Sequence, residues 1–416
     1  MAGLLNRPVQ AILPEPQRKA FGTPDFVIKG HNTVIGYVEA KSIGDSLDSV
    51  LESEQLLRYL QALPTLLVTN HLEFRLFEDG TQVDRVAVTG RVQLMQGSPP
   101  DGERVEEIRD LFDRLYRRST PEIADPRSLA KALARRARLL YRAAAETLSE
   151  QAESHGDLPA LYSAYKTHLM EDLTPDQFAD LYAQALTYGL FLARMHHDEA
   201  SGSFTRRRAY DLLPRSVALI KNLFRYLELS DEQFPVSLRW IVDDLAALLD
   251  NINLEGVLRR YAQHGEEHDP VFYFYETFLS EYRPDEREQR GVYYTPEPVV
   301  SYIVRSVDKL LRRDFGKRDG LATQEGVTLL DPAVGTGTFL AHSFVQVRDD
   351  LLPTSAGIFP DVIRNHALRN FAGFELLAAP YVIAHLKLTN VLAQLGYEIG
   401  ESERLGVYLT NHAGGP

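Results

Sequence analysis

Cysteine is absent from all 416 residues. That excludes disulfides, thiolate zinc sites and a cysteine nucleophile, and leaves histidine and carboxylate metal sites open. Long apolar runs are missing as well: nowhere do about 20 residues pass without a charge, so hydropathy gives no membrane-spanning helix. The opening string MAGLLNRPVQAILPEP has no apolar core followed by a small-residue cleavage site, and Pro8, Pro14 and Pro16 break any continuous helix. A soluble, cytoplasmic protein without a secretory leader is expected. There is no excess of positive charge either. Forty-five Lys and Arg against 58 Asp and Glu leave −13, so any contact with nucleic acid has to be local.

What is present is the composition of a folded chain, 44% hydrophobic and 25% charged, which excludes disordered and fibrous classes. At about 150 residues per domain, two or three domains are expected. Residues 1–96 carry short β-rich runs (PDFVIK, TVIGYVEAK, PTLLVTN, EFRLFED, VDRVAV) around one helical stretch, a small α/β unit. GSPPDGE, residues 97–103, combines Gly, Pro and charge and is the linker candidate. Residues 104–285 change to the helical period, an all-helical middle domain of roughly seven or eight helices. In QFADLYAQALTYGLFLAR, Phe178, Leu181, Tyr182, Ala185, Leu186 and Gly189 share one face, a core stripe. Residues 286–416 alternate again: helix VVSYIVRSVDKLL, strand VTLLDPAV, a helix after the glycines, strand FAGFEL, helix YVIAHLKLTNVL, strand GVYLTN. Alternation of this kind implies a parallel sheet with helices. The fold class expected is therefore α/β, multidomain.

Two constellations carry chemistry. In the first, Asp25 opens a strand, and Glu39 and Lys41 close the next, on one face because strand side chains alternate. Two carboxylates suit a hard divalent cation such as Mg²⁺, and the lysine suits a developing phosphorane charge or an attacking water. Gln55 and Tyr59 follow on a helix at i, i+4. The plain alternative is a surface strand that happens to end in charges.

In the second, LLDPAVGTGTFLAHSF, residues 329–344, reads as a strand, a glycine turn and a helix whose N-terminus favours an anionic group. A dinucleotide turn would need a third glycine where Leu340 stands. A nicotinamide-dependent oxidoreductase therefore ranks low. Asp331 is placed for the amino group of S-adenosylmethionine, and Glu375, ending the next strand, for ribose hydroxyls.

These strings resemble known families. GTPDF, YVEAKSIG, QLLRYL and LLVTNHLEFRLF, over residues 22 to about 80, resemble the PD-(D/E)xK nuclease domain at the N-terminus of large restriction-modification polypeptides. That resemblance implies Asp25 and Glu39 as Mg²⁺ ligands, Lys41 as the catalytic lysine, and Gln55 with Tyr59 as its QxxxY pair. The family's upstream acidic helix has no counterpart here, where Glu15 stands between two prolines. GVYYTPEPVV, DPAVGTGTFL and GFEL, in this order, resemble the adenine-specific DNA methyltransferases of type I and type IIG systems. This implies that Tyr294, Thr295, Asp331, Gly335, Gly337 and Glu375 bind S-adenosylmethionine. With the helical coupler, nearly the whole chain resembles single-chain restriction-modification enzymes of the type IIG and type ISP kind. Residues 286–416 would then be the N-terminal half of a Rossmann-like methyltransferase.

Two features of that family are missing. No (N/D)PP(Y/F) motif follows the third strand, and SPPD at 98–101 lacks the aromatic. No GxxxxGK(S/T) phosphate loop occurs anywhere. The expectation is the N-terminal part of a larger enzyme that methylates adenine and cuts unmodified DNA. The alternative is a catalytically inactive remnant that at most binds the donor or DNA. Partners so implied are double-stranded DNA and either a C-terminal continuation or a specificity subunit. Arg135, Arg138 and Arg142 on one helical face, and the run Arg206 to Arg208, are read as solvated or internally paired before being read as phosphate contacts.

Overall fold

The computed structural model describes residues 11–14, 24–30, 33–88, 102–117, 123, 125–150, 157–213, 218–230, 233–263, 270–283, 295–400 and 402–410. The β-branched and apolar N-terminal runs form β1 (Ala11–Pro14), β2 (Phe26–Gly30), β3 (Thr33–Ala40), β4 (Thr65–Thr69), β5 (Glu73–Glu78) and β6 (Thr81–Ala87). They form one sheet in sequential order. β3 and β4 are parallel and every other neighbouring pair is antiparallel. A parallel pair needs a crossover, here the helices Leu47–Leu51 and Glu54–Ala62. β1 was not expected from a proline-interrupted leader. Pro14 closes it, and a strand edge tolerates a residue without an N–H.

The two faces of this sheet bury against different partners. Ile28, Val38, Leu67, Leu76 and Val86 pack on Ile108, Leu111, Phe112 and Leu115 of the helix Gly102–Arg117. Val27, Tyr37, Leu66, Val68 and Phe77, with Leu56 and Tyr59, join the core of the helical middle. Tyr37 is the fastening point. Its hydroxyl donates to Asp244 Oδ2 at 2.5 Å, Arg136 Nε donates to the same oxygen at 2.7 Å, and the Trp240 ring meets it edge-on at 5.9 Å.

Within the middle region the helix Pro175–Met195 is capped by Thr174, which exchanges hydrogen bonds with Gln177. One buried stripe was expected on it. Instead all residues from Phe178 to Arg194 except Asp180 are buried, because helices surround it on every side. Of the six arginines singled out above, Arg207 and Arg208 are exposed. Arg135 pairs with Asp79, Arg138 donates to the Glu281 and Tyr282 carbonyls, and Arg142 bonds Gln61. Arg206 is buried, donating to the Leu227 and Leu229 carbonyls and pairing with Asp243. These four thus pair within the chain.

A second sheet holds β7 (Leu329–Asp331), β8 (Phe371–Glu375) and β9 (Gly406–Leu409), parallel throughout, as the alternating pattern implied. The helices Glu297–Asp314, Thr338–Ser355 and Ala378–Gln394 accompany it. The last is two-faced: Ala378, Val382, Ile383 and Leu386 belong to the core of the helical middle, and Ala384, Leu388, Val391 and Leu392 to the core of the second sheet. Among the described residues no helix is long and apolar enough to cross a membrane.

Candidate functional site

Five of the expected residues converge where β3 ends beside β4. Asp25 lies immediately before β2, and its Oδ2 accepts from the Ala40 amide at 2.8 Å. Glu39 is the penultimate residue of β3 and pairs in register with Val68. Lys41, just past the strand, is held by its amide to the Thr69 carbonyl at 2.7 Å. Its Nζ donates to Glu39 Oε1 at 2.6 Å and to Gln55 Oε1 at 3.3 Å, and Gln55 Nε2 donates to the Tyr59 hydroxyl at 3.2 Å. The helix spacing of Gln55 and Tyr59 thus brings both under the strand end.

Glu39 is only 3% exposed, and among the described residues its Oε2 has no hydrogen-bond partner. Burial raises its pKa, the Lys41 hydrogen bond opposes that rise, and the nearby Asp25 charge adds to it. Burial likewise pushes up the Tyr59 phenol, with the Glu39 and Asp25 charges contributing. A buried carboxylate oxygen without a donor fits a hard cation. Among the described residues no group of three or more His, Cys, Asp or Glu is arranged to hold a metal. Any ion here would rest on Asp25 and Glu39 with water completing its shell, the habit of Mg²⁺.

The second convergence lies at the carboxyl ends of β7 and β8. Asp331 ends β7, and its Oδ1 accepts from the Ala333 amide at 3.1 Å. Burial raises its pKa and that hydrogen bond holds the rise back. Gly335 and Gly337 take φ of 55° and 82°, a left-handed backbone that favours glycine. A Cβ on Gly337 would also stand 3.1 Å from the Leu388 side chain. The Gly335 amide donates to Glu375 Oε2 at 2.9 Å, and Glu375 Oε1 accepts from the Leu376 and Leu377 amides, both at 2.8 Å. Glu375 therefore ties the turn to the start of the helix Ala378–Gln394. Thr295 precedes Pro296, which stands at the N-cap position of the helix Glu297–Asp314 without a capping hydrogen bond. Glu297 Oε1 lies 3.8 Å from His342 Nε2, which sets that helix start beside the helix that follows the turn. Tyr294 lies outside the described residues. Two acids flanking a backbone that a ligand can approach closely fit the amino and ribose groups of S-adenosylmethionine.

Sequence reasoning missed one residue here. Lys387 is fully buried, and its Nζ donates to Thr338 Oγ1 at 2.9 Å. The signal was a lone cation inside the apolar helix YVIAHLKLTNVL.

Residues 266–389, which include the turn and both acids, match the family model described as N-6 DNA Methylase. No curated protein matches the chain. Among solved structures, the cryoEM structure of a DrdV–DNA complex is similar at 20% identity and TM-score 0.43, covering 95% of this chain and 35% of that one. A nuclease-deletion mutant of the Type ISP restriction-modification enzyme LlaGI with a DNA substrate mimic is similar at 19% identity and TM-score 0.39, covering 74% and 22%. The ATP-dependent Type ISP enzyme LlaBIII bound to DNA is similar at 18% identity and TM-score 0.41, covering 76% and 20%. The chain thus spans about a third of the DrdV chain, and less of the other two.

Proposed function

We propose that the chain is the donor-binding and nuclease-bearing part of a restriction-modification enzyme acting on adenine in double-stranded DNA. The observation that carries this reading is the pair of acids around the glycine turn, Asp331 and Glu375, lying inside the segment that matches N-6 DNA methylases. Asp331 would hold the donor's amino group and Glu375 its ribose hydroxyls. The turn at Gly335 to Gly337 would pass its methionine end, and Thr295 with Tyr294 would close over it. Bound S-adenosylmethionine supplies the methyl group. This chain's residues hold and orient it.

In the same reading the Asp25, Glu39, Lys41, Gln55 and Tyr59 cluster cuts the phosphodiester backbone of unmodified DNA. Asp25 and Glu39 would hold Mg²⁺, which supplies water activation when bound. Lys41, placed by Glu39 and Gln55, would orient the attacking water or neutralise charge on the phosphate. The domain division at 97–103 and near 285, and the cytoplasmic setting, belong to this proposal.

The test is calorimetric titration of the chain with S-adenosylmethionine, alongside Asp331→Ala. Saturable binding that weakens at least about tenfold in the variant is expected, the loss of one charge-assisted contact. Absence of binding by the parent chain would remove the donor site, and the inactive-remnant reading would replace it.

A further inference from the structure

The glycine turn is set at its far end by a residue of another helix. Thr338 is the first residue of the helix Thr338–Ser355, whose N-terminal dipole favours a negative group. Lys387, 49 positions along the chain and on a different helix, donates to the Thr338 hydroxyl at 2.9 Å. Thr336 and Thr338 place their hydroxyl oxygens 3.5 Å apart, and both side chains are buried. One position after Lys387, Leu388 packs where a Gly337 Cβ would fall. One turn of the helix Ala378–Gln394 thus fixes both the shape and the electrostatics of the donor turn. Because Lys387 is fully buried, it acts on the turn through the Thr338 hydroxyl and not by direct contact with a ligand.

We infer that Lys387 is a positioning residue of the donor turn and makes the site selective for a donor that carries a carboxylate. Its cation and the helix N-terminus act in the same place and with the same sign. The inference rests on the donor-site reading above. It goes further in naming the chemical group selected, the free carboxylate at the methionine end, and the residue that selects it.

The experiment compares S-adenosylmethionine with its decarboxylated analogue by calorimetry on the full chain, with circular dichroism to verify folding. The parent chain should bind the carboxylated donor about tenfold more tightly or better. In Lys387→Met that preference should shrink to about twofold or less, with Lys387→Arg keeping most of it. Thr338→Val keeps the cation but cuts its link to the turn, and should weaken both donors by about threefold to tenfold. An undiminished preference in folded Lys387→Met overturns the inference, as does equal binding of the two donors by the parent chain. Should Lys387→Met fail to fold, unchanged affinities in Thr338→Val overturn it. Binding of neither donor by the parent chain overturns the donor-site reading, and this inference with it.

Discussion

Both candidate sites lie at the carboxyl end of a parallel strand pair, β3 beside β4 and β7 beside β8, yet they are built differently. The first is a chain of side-chain hydrogen bonds, Lys41 to Glu39 and Gln55 and on to Tyr59, around a carboxylate 3% exposed. The second is mostly backbone: amides of Ala333, Gly335, Leu376 and Leu377 point at two acids across a left-handed turn. A crossover leaves the end of a parallel strand open in both cases, which is why chemistry gathers there. What fills the opening decides what each site is sensitive to. Side-chain truncation and pH should disturb the first, and backbone conformation the second.

The largest effect should separate the two at once. Glu39→Ala should lower metal-dependent DNA cutting on the order of a thousandfold or more, while donor affinity measured on the same sample stays put. Unchanged cutting would take the nuclease role away from this cluster. Next in size is Gly337→Ala, which forces a Cβ into a φ of 82° and against Leu388. Donor affinity should fall by about tenfold to a hundredfold. Gly316→Ala serves as the reference, since it also has positive φ but open space around it, and it should alter thermal stability alone. Equal donor affinity in both variants would mean the turn is not the binding element.

The smallest effect concerns pH. Burial raises the Glu39 carboxyl above its ordinary value of 4.5. A raised carboxyl contributes stability that is fully present below that value and is lost as pH rises through the folded one. Glu39→Gln stays neutral, so it should be slightly more stable than the parent near pH 8, an advantage that fades toward pH 4. Thermal melting across that range measures it. A constant difference would place the cost of Glu39 in packing, not charge.

Much of this arrangement was legible in the sequence, and the reasons are local. The β-rich run from Thr33 to Ala40 announced β3, and the string from Asp331 to Phe339 announced strand, turn and helix within one short span. The five residues of the Glu39 cluster could be grouped because strand period and helix period each act over a few positions. What stayed hidden depended on distant partners. Tyr37 meets Asp244 across 207 positions, and Lys387 meets Thr338 across 49, separations that leave no periodic trace. Periodicity also understated the helix Pro175–Met195. It showed one apolar stripe, whereas Gln184 and Thr187, polar by type, are buried too, with Gln184 hydrogen-bonded to Asp180 and Tyr275. The arginine face on the helix Pro126–Glu150 was ambiguous for the same reason, because the acid that pairs with Arg135 sits on a loop far upstream.

The helix Ala378–Gln394 lends one side to each of two cores, and this bears on how such a protein can change over time. A gene fusion or module exchange with its crossover near residue 285 would carry this helix away from Phe178, Tyr182 and the other residues of the middle core it helps to fill. The recombinant would inherit either a hollow in the helical region or a bare apolar side on the donor-binding part. Inheritance is therefore expected to run in larger blocks than the apparent domains, with the helical middle and the donor turn travelling together.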